Sequence, residues 1–180
     1  MRNLLVSDNI MLTSVEAEDI SFIKKWFNDV EFLRYYDMVA AIPKNEKQLK
    51  ELIEGYHSSS ERYIFAIRLK DTNKIFGLCG FDEIIWNMGV ATVFIGIGEK
   101  EYLGKGFGKE ALNLIIDFGF SELNFYRIQL NVISYNETAK NLYESIGFKK
   151  EGIYRSFILR DGKRYDMYLY GMLKEDWKNT

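Results

Sequence analysis

The segment from Ile97 to Ala111 constrains this chain more than any other stretch. Three glycines, Gly104, Gly106 and Gly108, follow a β-branched run and precede Ala111, Leu112, Ile115, Ile116 and Phe118 at helical spacing. A strand therefore enters a helix through a loop free to take left-handed backbone angles. A helix N-terminus carries unpaired N–H groups and partial positive charge, and glycine lets an anion approach that backbone closely. Lys100, Lys105 and Lys109 add local positive charge to a chain of formal net charge -2. The functional reading is a phosphate site. The plain reading is a glycine-rich connector with solvated lysines, and the loop alone does not separate the two.

Two nucleotide motifs come close. A Walker A loop needs four residues between its first glycine and the Gly-Lys pair, followed by Ser or Thr. From Gly98 to Gly104-Lys105 there are five, and Gly106 follows, so it fails twice. Gly106-x-Gly108-x-x-Ala111 reads like a dinucleotide fingerprint, but Glu99 to Leu103 separate strand from glycines. The next strand ends at Ile133 without the acid that such a site uses.

The 180 residues predict a single domain, 1–180, and 47% apolar content supports a substantial core. With 24 basic against 26 acidic residues there is no basic excess, so no nucleic-acid partner is expected. One Cys excludes an intrachain disulfide and a multi-thiolate metal site, one His excludes a two-His motif, and no metal is expected. No apolar run approaches about 18 residues, and the start of the chain is too short in apolar residues for a signal peptide. A cytoplasmic protein without a membrane partner is expected.

The chain opens with a strand candidate at Ile10 to Val15, then Ile20, Ile23, Trp26 and Phe27 at helical spacing. Asn45 with Gln48 resembles a capping box before Leu49, Leu52, Ile53 and Tyr56. Tyr63 to Leu69, Lys74 to Ile84 and Gly89 to Ile97 read as an antiparallel meander. After the glycine helix, Ile128, Leu130 and Val132 alternate on a strand. Asn136 can cap a helix bearing Ala139, Leu142, Tyr143 and Ile146, ended by Gly147. A hairpin turning at Asp161-Gly162 closes the chain. The order describes a mixed α/β layer structure.

Two blocks carry a resemblance: Leu103-x-x-Gly106-x-Gly108 before a helix, and Asn136-x-x-Ala139-x-x-x-Tyr143-x-x-x-Gly147-Phe148. In that order, separated by a helix and a strand, they resemble the GNAT acetyltransferases, in particular the group of ribosomal-protein N-terminal acetyltransferases and spermidine acetyltransferase. Leu103 departs from the family's Gln or Arg. The resemblance covers almost the whole chain. It implies a GNAT-like mixed, mostly antiparallel, twisted sheet of about seven strands flanked by about four helices. The sheet would splay at the cofactor site, between the strand ending near Gly98 and the one from Ile128 to Val132. It implies acetyl-CoA as co-substrate, with pyrophosphate on the backbone from Gly104 to Lys109. Ile97, Gly98, Leu103, Lys105, Phe107, Asn136, Lys140 and Tyr143 complete the implied cofactor set.

Amine acetylation needs a neutral amine, and an alkyl ammonium of pKa ~10 is neutral in about one molecule in a thousand at pH 7. A group must accept a proton, and another must meet the departing thiolate. The resemblance implies Tyr143 as general acid, against a plain role in the buried stripe. Glu99 is the candidate base, against a solvated charge beside Lys100. Asp82 and Glu83 alternate to opposite faces of a strand, so one of them can reach the cleft. Tyr35, Tyr36 and Asp37 are candidates for the acceptor pocket, as is Tyr165-Asp166 in the hairpin. A Cys79–His57 nucleophile is the covalent alternative, and Cys79 reads better as packing. The acceptor can be a protein N-terminus, a polyamine or a small-molecule amine. A non-catalytic acyl-CoA-binding module and a dinucleotide-binding protein are the competing classes, and a homo-oligomer is left open.

Overall fold

The computed structural model describes residues 3–178; of the expected domain 1–180, residues 1, 2, 179 and 180 lie outside that range. Seven strands form one sheet: β1 (Ile10–Thr13), β2 (Tyr63–Leu69), β3 (Ile75–Ile85), β4 (Val90–Ile97), β5 (Arg127–Ile133), β6 (Lys149–Arg160) and β7 (Lys163–Leu173). Their spatial order is β1-β2-β3-β4-β5-β7-β6, with every neighbouring pair antiparallel except β4–β5. The β6–β7 turn takes positive φ at Asp161 (50°) and Gly162 (72°), the geometry that matches the twist of a hairpin.

Three helices, α1 (Ile20–Trp26), α2 (Val30–Tyr36) and α3 (Glu46–His57), bury Ile23, Trp26, Leu33, Leu49 and Ile53 with Leu78 on one face. On the other, α4 (Phe107–Ser121) and α5 (Glu137–Ile146) bury Leu112, Ile115, Tyr143 and Ile146 with Phe81, Ile128 and Leu130. A short α6 (Lys174–Lys178) ends the described chain. Among the described residues there are six helices where about four were expected, because the aromatic segment before α3 forms a helix of its own and the short α6 is added. The Asp29 side chain accepts from the backbone N–H of Glu31 at 2.9 Å and so starts α2, placing the aromatic run Phe32 to Tyr36 on a helix of its own. At α3 the capping box forms as the sequence suggests. Asn45 Oδ1 accepts from Gln48 N at 3.0 Å, and Gln48 Oε1 accepts from Asn45 N at 2.9 Å.

The feature that positions the site is the β4–β5 junction. The strands pair only at Val90↔Arg127, Ala91↔Ile128 and Thr92↔Gln129. Beyond that rung β4 runs on to Ile97 and β5 to Ile133 without pairing to each other, which leaves a wedge with two facing backbone edges. No helix among the described residues is long and apolar enough to cross a membrane.

Candidate active site

At the open end of the wedge, β4 turns into the glycine loop. The N–H groups of Gly98 and Glu99 both donate to the Phe76 carbonyl, at 2.9 and 3.2 Å, and fix where the strand stops. Gly104 (φ 72°) and Gly106 (φ 86°) follow in left-handed geometry, and a β-carbon on either would meet no atom within 4 Å. The glycines thus line open space rather than a crowded contact. Gly106 is the N-cap of α4 and makes no side-chain cap hydrogen bond, so it leaves the first-turn N–H groups without the cap a Ser, Asp or Asn would supply. The Phe107 ring packs on Phe76 (5.5 Å between centroids) and Tyr102 (5.9 Å), anchoring the start of the helix. Lys105 Nζ lies 5.6 Å over the Tyr102 ring, and Lys109 Nζ donates to the Ser145 carbonyl at 3.4 Å. Leu103 is exposed.

On the β5 side, Asn136 opens α5. Its Oδ1 accepts from Ala139 N at 3.1 Å, and its Nδ2 donates to the Tyr35 carbonyl at 3.5 Å, so the cap also ties α5 to α2. Lys140 pairs with Glu137 at 2.8 Å and sits 5.1 Å over the Tyr168 ring. Tyr143 is 8% exposed, and its ring meets Phe148 edge-on at 6.0 Å. Its hydroxyl bonds no other described residue, and burial pushes the phenol up to about 12.

Glu99 is held from the α1 side: the Trp26 indole Nε1 donates to its Oε1 at 3.0 Å. Lys100, beside it, is engaged elsewhere, with Glu31 at 2.7 Å and Asp29 at 3.2 Å.

The α1–α3 face of the wedge is aromatic and acidic. Tyr36 stacks on Phe32 (5.0 Å, 20°) and covers Gly96, where a β-carbon would fall 2.5 Å from its ring. Phe94 completes the wall with Tyr36 and Tyr56, at 6.3 and 5.8 Å. The Tyr56 hydroxyl donates to Asp82 Oδ2 at 3.0 Å. Burial holds the Asp82 carboxyl above the ordinary carboxylate range, against the lowering effect of that bond. Alternation would put Asp82 and Glu83 on opposite faces, and here the structure differs. A register shift follows Asp82, and Glu83 takes φ 52°, so its carboxylate turns back to accept from Thr92 Oγ1 at 3.1 Å. Asp37 ends α2 with its Oδ1 accepting from Met38 N at 2.6 Å, and Tyr35 is exposed against Tyr135, edge-on at 5.5 Å.

The β6–β7 hairpin is clasped to α2 across this face. Arg160 Nη2 donates to the carbonyls of Asp37, Met38 and Val39, the shortest contact being 2.8 Å. Arg34 pairs with Asp161, and Tyr135 Oη donates to the Arg34 carbonyl. Tyr165 meets Tyr135 edge-on at 5.0 Å, whereas Asp166 is spent inside the hairpin, accepting from Ser156 N at 2.8 Å. Cys79 is fully buried, its thiol pushed up by burial, while His57 is exposed at the end of α3; the two form no nucleophile pair.

Residues 9–149 match the family described as the acetyltransferase (GNAT) domain. The chain belongs to the GNAT acetyltransferases. Members of this family transfer an acetyl group from acetyl-CoA to an amine, and the chain is an N-acetyltransferase. It is 28% identical over 174 residues to the uncharacterized N-acetyltransferase p20 of Bacillus licheniformis, covering 96% of this chain and 97% of that protein. It is 26% identical over 167 residues to the ribosomal protein uS5 alanine N-acetyltransferase of Escherichia coli, covering 92% and 82%. Among solved structures, the spermidine N-acetyltransferase of Vibrio cholerae in complex with CoA and spermine superposes with a TM-score of 0.87 at 26% identity, over 94% of this chain and 98% of that one.

Ile97, Gly98 and the glycine loop follow along β4, Asn136 follows β5, and Tyr143 lies on α5 in the buried cluster that includes Leu130; Tyr36, Asp37 and Asp82 lie near one another on the α1–α3 face. Trp26, Tyr56, Phe94 and Arg160 were not legible as site residues. Tyr56 belongs to the apolar stripe of α3, and its only distinguishing signal is a polar tip at the end of that stripe.

Proposed function

We propose that this chain acetylates a primary amine by direct transfer within one ternary complex, with a cationic small molecule or a peptide N-terminus as acceptor. The observation that carries the reading is the wedge: β4 and β5 part after Thr92↔Gln129, and the edge of β4 leads to an open, uncapped glycine cradle. Acetyl-CoA supplies the thioester-activated acetyl group. The backbone N–H groups from Gly104 to Lys109 bind the pyrophosphate, Ile97 and Gly98 offer strand-edge groups to the arm, and Asn136, Lys140 and Leu103 border it. Tyr36, Phe94 and Asp82 border the acceptor, where aromatic faces and negative charge suit a cation.

Tyr143 donates a hydrogen bond to the sulfur as negative charge grows there. A phenol at about 12 is a weaker acid than a thiol of pKa ~8.5, so full proton transfer costs roughly 5 kcal/mol. Stabilising the thiolate, with the proton following later, suits the site better than outright protonation. Full burial of Cys79 supports attack by the amine itself rather than a covalent enzyme.

A melting scan tests the reading. Acetyl-CoA at about 100 times its dissociation constant stabilises the fold by ~2.7 kcal/mol, and NAD and ATP at the same concentration do not. Free-thiol release from acetyl-CoA with spermidine, an alanyl peptide and a panel of simple primary amines then identifies the acceptor class. A larger shift with NAD or ATP, or no thiol release with any amine, overturns the proposal.

A further inference from the structure

The sheet register puts one carboxylate beside the apex of the wedge. Asp82 pairs with Thr92, and Thr92 pairs with Gln129 in the last rung before β4 and β5 separate. Thr92 and Phe94 share the face of β4 opposite the buried Ala91 and Val93, which is the face covered by α1–α3. Asp82 lies on that same face, next to the ring wall of Tyr36, Tyr56 and Phe94. Glu99, the other candidate, lies seven residues beyond Thr92, about 20 Å along an extended strand, with Oε1 committed to Trp26.

We propose that Asp82, positioned by Tyr56, accepts the proton that the acceptor amine loses, and that Glu99 fixes the end of β4. This rests on the acetyltransferase reading above. Tyr56 Oη engages Oδ2, while Oδ1 bonds no other described residue, so one oxygen is pinned and one is left to accept. The left-handed φ of Glu83, inside the bulge, is the kind of local strain that gathers at functional positions. Asp82 is influenced by Tyr56 from α3, by Arg62, whose guanidinium lies 5.0 Å over the Tyr56 ring, by Glu83 from its own strand and by Asp37 after α2. The carboxylates of Asp82, Glu83 and Asp37 give this face a negative field that suits an organic cation. Partial burial raises the Asp82 carboxyl, bringing it nearer the range of a useful base.

The step balances simply. The amine nitrogen forms its bond to the acetyl carbon, and the carbon–sulfur bond breaks with its electron pair leaving on sulfur. The surplus N–H proton passes to Asp82 Oδ1 and then to solvent once the amide has left. The thiolate is hydrogen-bonded by Tyr143 and takes its proton from water.

The test uses Asp82→Asn and Tyr56→Phe in the full chain. The assay employs the best-used amine of the panel and its less basic β-fluorinated analogue. Asp82→Asn lowers kcat about 100-fold or more, with acetyl-CoA affinity by calorimetry within about twofold of wild type. The deficit shrinks with the fluorinated amine, whose nitrogen gives its proton to water more readily. Stability supplies an independent readout. A carboxyl raised in the fold holds its proton where the unfolded chain has lost it, so its contribution to stability falls as pH rises through that window. At pH 7 the charged form is a burden, and Asp82→Asn melts no lower than wild type. Tyr56→Phe removes a donor that favours the carboxylate and moves the acid limb of kcat/KM to higher pH, a change that a merely structural role would not produce. Asp82→Asn with kcat within about twofold of wild type overturns the inference, as does a rise in KM alone at unchanged kcat. Wild-type protein that releases no thiol with any amine overturns the acetyltransferase reading and this inference with it.

Discussion

The indole of Trp26 occupies the space that a side chain on Gly98 would need. A β-carbon there would fall 2.0 Å from Trp26 Cδ2, and the same indole holds Glu99 through Nε1. One α1 residue thereby sets where β4 ends and the glycine loop begins.

Gly98→Ala therefore costs stability and cofactor binding together. Trp26 is buried and has little room to move, so overpacking of about 1–3 kcal/mol is expected. Denaturant melts and acetyl-CoA calorimetry check it; a variant normal in both would show that Trp26 gives way freely.

Gly106→Val separates loop from core. No atom crowds the position, so the fold bears only the left-handed backbone penalty of ~1–2 kcal/mol. The new side chain stands in the open cradle, and acetyl-CoA binding is lost. Gly108→Ala is the control: its β-carbon would meet Leu142 Cδ2 at 3.5 Å, an ordinary contact, and stability stays near wild type. Calorimetry and melting on both variants decide it, and wild-type affinity in Gly106→Val would reduce the loop to a connector.

Tyr143→Phe keeps the ring against Phe148 and removes the hydroxyl. Because that hydroxyl bonds no other described residue, the melting temperature changes little, while kcat falls by about 100-fold. The phenol lies at about 12 in the fold, so it stays protonated from pH 7 to 9 and the ratio of wild-type to variant kcat is flat across that range. A ratio that varies with pH, or an unchanged kcat with chemistry rate-limiting, removes Tyr143 from this role.

The elements around the glycine loop were legible because local chemistry dictates them. Asn45 and Gln48 cap α3, Asp161-Gly162 turns the hairpin, and Ile128, Leu130 and Val132 alternate inward on β5. That the aromatic run after Phe27 forms a helix of its own was not legible, since it depends on the Asp29 side chain accepting from two backbone N–H groups. The placement of β7 between β5 and β6 is a long-range pairing that no local pattern encodes. Tyr36, Asp37 and Asp82 were legible as candidates for the acceptor side, whereas the neighbouring rings of Tyr56 and Phe94 were not. Period-two alternation separates Asp82 from Glu83, and only the left-handed kink at Glu83 cancels it.

Three rungs between β4 and β5 also make the molecule mechanically two plates, one of four strands and one of three, joined along a short seam. Past Thr92 the two strands share no rung, and side chains bridge the plates, among them the core around Leu130 and Tyr143 and the clasp from Arg160 to the carbonyls of Asp37, Met38 and Val39. A guest that bonds to a plate edge inside the seam adds stiffness where the polypeptide supplies none. On the proposed reading, binding in the wedge then also braces the two plates against each other, so the molecule that the enzyme consumes would stiffen the sheet that holds it.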